Sequence, residues 1–291
     1  METPVSQLPA RTGSATDDWV KIVSHLARGA GLTTDDVRRL LNALKNSDEI
    51  RTVESALRQW LVQQVDTGGP IRAQVQLAAL PPTARPAAEL VVAHDPFDPH
   101  SESIRALRSE LLLRQDPEQC NLIAVVSPGA GEGRSRLAAE LAISCAQLGQ
   151  PSLLVDADLR RPRQHVLFEA QNESGLAHAL DNGSAPQLQG VDSLPTLNLL
   201  TAGFVPRNPL ELLSRPGFGA LLDGWARQYR HIIIDTPPVS LVSDALAVAM
   251  HCRCVLVVTR AQHSLLGASR EMLRRLATTQ ARVLGSVVNH F

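Results

Sequence analysis

The junction at residues 122–135 constrains this chain more than any other feature. Leu122-Ile123-Ala124-Val125-Val126 is an unbroken apolar run that leads directly into Ser127-Pro128-Gly129-Ala130-Gly131-Glu132-Gly133-Arg134-Ser135. A helical pattern follows over Ser135 to Leu148. Strand, glycine-rich turn, helix is the order that phosphate binding requires. Glycines take φ > 0 and turn their N–H groups inward, and a helix start adds unsatisfied N–H groups and a positive dipole end. Read against G-x-x-x-x-G-K-[ST], Pro128 stands at the first glycine and Arg134 replaces the lysine, while Ser135 holds the Mg²⁺-binding hydroxyl position. Arginine keeps the charge but is longer, planar and forked.

The rest of the C-terminal two thirds repeats the strand-then-helix pattern. Ser152 to Val155, Leu197 to Leu200, Ile232 to Ile234, Val255 to Val258 and Val283 to Val288 are strand candidates with amphipathic stretches between several of them. Continuous apolar strands alternating with helices predict an α/β fold, a mainly parallel sheet with helices on both faces. Two strands end in acids: Leu153-Leu154-Val155 in Asp156-Ala157-Asp158, and Ile232-Ile233-Ile234 in Asp235-Thr236-Pro237-Pro238. Ligands of open parallel sheets sit beyond the carboxyl ends of the strands. A carboxylate there can bind Mg²⁺ or orient an incoming hydroxyl.

Before this domain the sequence divides into residues 1–16 (disordered), 17–65 (a small helical module) and 66–99 (a linker), with the main domain at 100–291. Trp19, Ile22, Val23 and Leu26 recur at helical spacing. Thr33-Thr34-Asp35-Asp36 reads as a capped helix start. Gly68-Gly69-Pro70, Pro81-Pro82, Pro86, Pro96 and Pro99 punctuate the linker.

Composition removes several classes. Of 291 residues 44% are hydrophobic and 20% charged, and the formal net charge of −1 gives no support to nucleic-acid binding. No apolar run approaches the roughly 20 residues of a membrane span. The expectation is a cytoplasmic protein with no direct membrane insertion. Cys120, Cys145, Cys252 and Cys254 are expected to form no disulfide framework, Cys252 and Cys254 reading as strand residues beside the core.

Five segments resemble the bacterial tyrosine kinases of capsule and exopolysaccharide synthesis, P-loop ATPases of the group that includes the Min and Par partitioning proteins. Ser127 to Ser135 resembles their Walker A, Leu153 to Arg160 their second Walker motif, D-x-D-x-R, and Ile232 to Pro238 their Walker B. Gly203 to Leu213 resembles G-x-x-P-x-N-P-x-E-L-L, and Glu102 to Arg108 fits E-x-x-R-x-x-R. The resemblance implies a P-loop NTPase fold with ATP or ADP on Gly129, Gly131, Glu132, Gly133, Arg134, Ser135 and Arg136. It places Mg²⁺ on Ser135, Asp156 and Asp235, and catalytic work on Asp156, Asp158 and Asp235. Asn289 resembles an adenine-contacting asparagine. Glu102, Arg105 and Arg108 would mediate homo-oligomer assembly. A membrane polysaccharide co-polymerase of the chain-length determinant type is the implied partner, recruiting the protein to the inner face of the membrane.

Two departures qualify the implied activity. One is Arg134. The other is tyrosine: the family's tyrosine-rich tail is expected to be lacking after Phe291, and Tyr229 is the single tyrosine in the sequence. Tyr229 reads as a packing residue. The reading is therefore a pseudokinase or weakly active regulatory component. An active ATP-dependent protein-tyrosine kinase acting on other proteins is the first alternative. A partitioning-type ATPase is the second, disfavoured because Ser127 to Ser135 contains no lysine.

Overall fold

The computed structural model describes residues 82–114 and 122–290. The helical module expected at 17–65, most of the linker and Cys120 lie outside the described residues. Along the chain run β1 (Pro82–Ala84), α1 (Val91–His94), α2 (Pro99–Arg114), β2 (Leu122–Val126), α3 (Arg134–Ala146) and β3 (Ser152–Asp156). Next come α4 (Gln164–Leu167), α5 (Leu176–Asn182), β4 (Gln189–Val191), β5 (Leu194–Leu200), α6 (Pro209–Ser214) and α7 (Pro216–Ala226). The last elements are β6 (His231–Asp235), α8 (Asp244–His251), β7 (Cys254–Arg260), α9 (Leu266–Leu276) and β8 (Arg282–Asn289).

The strands form one sheet of order β1-β4-β5-β3-β6-β2-β7-β8. From β5 to β8 every pairing is parallel. β4 runs antiparallel to β5, and β1 runs parallel to β4. The α/β reading therefore holds, with an antiparallel margin added at one edge. The three strands at the centre, β3, β6 and β2, are buried along their whole length. Strands covered on both faces have no polar side to show, which is why they read as unbroken apolar runs. β8 alternates toward exposure, as an edge strand can.

Two apolar clusters lie on the two faces of the sheet. One gathers Ala124, Val126, Leu153, Val155, Phe218, Trp225 and Ile234. The other gathers Ile123, Val125, Leu154, Leu141, Ile143, Phe168 and Ile233. Neighbouring residues of one strand fall into opposite clusters, as the period of two requires.

The N-terminal margin differs from the boundary drawn at residue 100. Residues 82–99 carry β1 and α1, and Leu90 and Val92 are buried in the second cluster. The prolines that mark this stretch do not prevent it from packing, because β1 is an edge strand where proline is tolerated.

Cys254, at the start of β7, is disulfide-bonded, whereas Cys145 and Cys252 are buried free thiols. The expectation was of no disulfide framework, and the bond at Cys254 was not foreseen. That expectation came from compartment and chain length, neither of which says which thiols the fold brings together.

Candidate phosphate and acid site

The glycine-rich loop links β2 to α3 at the carboxyl edge of the sheet. Gly131 and Gly133 have φ of 74° and 84°, a left-handed region where a side chain is strained. Gly133 is the N-cap of α3, so the helix begins at Arg134 with its N-terminus at the loop. Among the described residues nothing accepts a hydrogen bond from the N–H groups of Gly131, Glu132 or Gly133. Successive unpaired donors at a helix start form an anion-binding concavity.

β3 and β6 are neighbours whose register pairs Asp156 with Asp235. The two acids therefore leave adjacent strands at the same height. Asp158 follows two residues later and is also buried. The sequence-predicted acids thus come together beside the loop.

Arg134 is what they meet. Its Nε donates to Asp235 Oδ1 at 3.1 Å, its Nη2 to Asp158 Oδ2 at 3.1 Å and its Nη1 to Ser127 Oγ at 2.8 Å. The arginine side chain is 9% exposed, Asp158 5% and Asp235 0%, so both ion pairs are desolvated. The guanidinium thus bridges the two acidic strand ends. A lysine ammonium, a single point charge, cannot span both carboxylates and the serine in the same way.

The remaining carboxylate oxygens are occupied as well. Asp235 Oδ2 accepts from Gln164 Nε2 at 2.9 Å, and the same nitrogen donates to the Ser135 carbonyl. Asp158 Oδ1 accepts the N–H groups of Arg160 and Arg161. Asp156 Oδ1 accepts the Asp158 N–H, and its Oδ2 accepts those of Arg163 and Gln164 at the start of α4. Burial pushes the Asp156 carboxyl well above the usual carboxylate range, and Asp235 beside it adds to the effect. The N–H donors of Gln164 and Arg163 pull the other way. Burial likewise raises Asp158, opposed by the Arg161 N–H and the Arg134 charge.

This arrangement does not fit Mg²⁺ as it stands. Hard cations take several oxygens at close range, and here those oxygens are already engaged by nitrogen donors. Among the described residues no group of three or more His, Cys, Asp or Glu side chains is disposed to hold a metal ion. Gln164 Oε1 is buried and unpartnered, a single oxygen rather than a donor set.

Other predicted residues take structural partners. Arg136 pairs with Glu140 at 3.2 Å, and Glu140 also meets His100 at 2.6 Å. Asn289 donates to the Glu132 carbonyl at 2.7 Å. Glu132 folds back so that its Oε1 accepts the Gly129 N–H at 3.1 Å. On α2, Arg105 pairs with exposed Glu102 at 2.6 Å. Arg108 instead turns inward, its Nη1 donating to the Ser144 carbonyl at 2.7 Å. Tyr229 is 2% exposed and its hydroxyl accepts from Asn198 at 2.7 Å, so it is the packing residue expected.

Sequence reasoning missed Gln164, Ser127 and the pair between Arg160 and Asp244, whose shortest contact is 2.7 Å. Asp244 lies 84 positions from Arg160, so nothing local announces the pair. Arg160 itself stood in the D-x-D-x-R match, and that was the available signal.

No protein-family model matches the chain. The chain is 33% identical over 197 residues to the tyrosine-protein kinase YwqD of Bacillus subtilis, covering 67% of this chain and 83% of YwqD. It is 35% identical over 217 residues to EpsB of Ralstonia nicotianae, a tyrosine-protein kinase by name, but spans only 29% of the length of that relative. Among solved structures, the kinase domain of the Escherichia coli tyrosine kinase ETK superposes with a TM-score of 0.66 at 27% identity, over 74% of this chain and 91% of that domain.

Proposed function

From the premise that the chain belongs to the bacterial tyrosine-protein kinase family, we propose that it is a kinase-like regulatory component of exopolysaccharide synthesis and export. It binds ATP or ADP weakly and transfers little or no phosphate to tyrosine. It works by assembling with a membrane polysaccharide co-polymerase, and no helix among the described residues is long and apolar enough to cross a membrane.

The observation that supports this reading is the direction of the Arg134 guanidinium. It faces Asp158 and Asp235 instead of the loop's N–H groups. A phosphate chain arriving at Gly129 to Ser135 therefore lacks its cationic anchor. To supply one, Arg134 must leave two buried carboxylates, and breaking a buried pair is strongly unfavourable. The sole tyrosine, Tyr229, is buried and is no acceptor within its own chain.

The experiment is calorimetry of ATP and ADP with Mg²⁺ on the wild type and on Arg134→Lys. Weak or absent heat from the wild type with clear binding by Arg134→Lys is the expected result. Tight binding by the wild type would show that arginine serves the loop. Phosphate transfer by the wild type to a tyrosine-bearing substrate would replace this reading with that of an active kinase, which the three retained aspartates favour. Binding by neither form would end the nucleotide-dependent part.

A further inference from the structure

Every carbonyl from Ser127 to Gly133 accepts a hydrogen bond. The Ser127 and Pro128 carbonyls take the N–H groups of Val239 and Ser240 at 3.0 and 3.1 Å. The Gly129 carbonyl takes the Ser127 hydroxyl at 2.8 Å, and that of Gly133 takes the Leu137 N–H at 2.9 Å within α3. The three between them are held by side chains from β7, the neighbour of β2, from the turn after it and from β8. His263 Nε2 donates to Ala130 at 3.1 Å, Arg260 Nη1 to Gly131 at 3.3 Å and Asn289 Nδ2 to Glu132 at 2.7 Å. A carbonyl only accepts, so the His263 Nε2 carries the hydrogen.

These three carbonyls matter because of what lies at the other end of each peptide. No cis peptide occurs among the described residues. In a planar trans peptide the C=O and the following N–H point in opposite directions. Fixing the carbonyls of Ala130, Gly131 and Glu132 therefore aims the N–H groups of Gly131, Glu132 and Gly133 to the opposite side. Those are the donors that make the concavity.

The donors come from the end of β7, the β7–α9 connection and the end of β8, and these are tied together. Ala261 N–H donates to the Asn289 carbonyl at 2.9 Å, and the Ser264 hydroxyl accepts the Arg260 N–H at 2.8 Å. Burial raises the proton affinity of the Glu132 carboxyl, and the nearby Ser264 hydroxyl and the Gly129 N–H oppose it. The brace is thus one unit with several grips on the loop.

The geometry points to Arg260, His263 and Asn289 as positioning residues for phosphate: they hold the loop from behind so that its N–H groups converge before any ligand arrives. The inference rests on reading the loop as a phosphate site. A preorganised donor set is what lets a loop bind an anion without first losing conformational freedom.

The test is ¹⁵N relaxation on the full chain, comparing the wild type with His263→Ala, Asn289→Ala and the double variant. His263 is exposed, so its replacement spares the core. In the double variant the order parameters of Gly131, Glu132 and Gly133 should fall from the rigid value of about 0.85 toward about 0.6. Those of Leu153 to Val155 in β3 should not change. Placed on Arg134→Lys, the double variant should weaken ADP binding by roughly tenfold, the loss expected for about two neutral hydrogen bonds. Unchanged loop order parameters would overturn the brace, and so would an equal loss of order in β3. If the loop loosens but neither Arg134 form binds ADP, the brace stands and the nucleotide-dependent part of the proposed function fails.

Discussion

Arg134 is a helix-start residue whose side chain folds back under its own loop, and its surroundings set the cost of changing it. Arg134→Ala leaves Asp158 and Asp235 buried, each one hydrogen bond poorer and without the guanidinium that bridges them. Removing one member of a buried pair costs roughly 3 to 5 kcal/mol, and a urea titration at neutral pH should show a loss of that size. Arg134→Lys keeps one positive charge near the carboxylates, so its loss should be smaller. The acids themselves were legible in the sequence, because a parallel strand that ends in Asp announces where the carboxylate emerges. The direction of Arg134 was not legible. It depends on Asp158 and Asp235 lying within reach together, and that follows from the β3–β6 register rather than from the loop motif. Gln164 escaped for a similar reason: its amide meets Asp235 across 71 positions of sequence.

At the scale of elements, α2 separates two roles that one motif had merged. Arg108 anchors α2 to α3 through the Ser144 carbonyl and hydroxyl, while Glu102 and Arg105 pair with each other on an open surface. Arg108→Ala should therefore cost about 1 to 2 kcal/mol, somewhat more than an average neutral hydrogen bond because the donor is charged. Glu102→Ala should change stability by less than about 1 kcal/mol, as exposed pairs do. If α2 mediates self-association, sedimentation should register Glu102→Ala and Arg105→Ala while their melting curves stay near the wild type.

β6 offers a pH test. His231, at its start, is 3% exposed, and burial lowers its pKa to about 4 from 6.5. Its Nε2 lies 2.7 Å from Gln150 Oε1, an acceptor that the neutral ring can satisfy. The unfolded chain takes up a proton near pH 6.5 and the folded chain resists until about pH 4. Stability from this residue is thus complete above pH 6.5 and declines as pH falls toward 4, by roughly 3 kcal/mol in all. A His231→Gln chain lacks that slope, so the difference between the two unfolding free energies should narrow or reverse from pH 7 to pH 4.5. β2, β3, β6 and β7 were readable as elements, since burial on both faces writes an apolar run into each. β1 and β4 were not. Each has three residues and sits at the antiparallel margin, where neither run length nor alternation gives a signal.

For the molecule as a whole, the folding unit starts ahead of the boundary that the sequence punctuation marks. Sequence punctuation placed the start at residue 100, because five proline-containing sites crowd the preceding stretch. The sheet includes β1 nonetheless, and Arg85 and Ala87 donate their N–H groups to the Phe168 and Leu167 carbonyls. Leu90 and Val92, 0% and 1% exposed, fill the layer that also holds Phe168 and Leu141. A chain cut to residues 100–291 loses those two side chains at about 1.5 to 3 kcal/mol each. It also leaves the β4 edge unpaired, and an open edge invites association with another strand. A chain cut to residues 76–291 keeps all of these contacts. The shorter form should therefore unfold at a temperature lower by roughly 5 to 15 °C and associate on concentration, while the longer form should melt close to the full chain. Equal melting temperatures for the two would mean that residues 82–99 contribute no net stability and that the punctuation drew the boundary correctly.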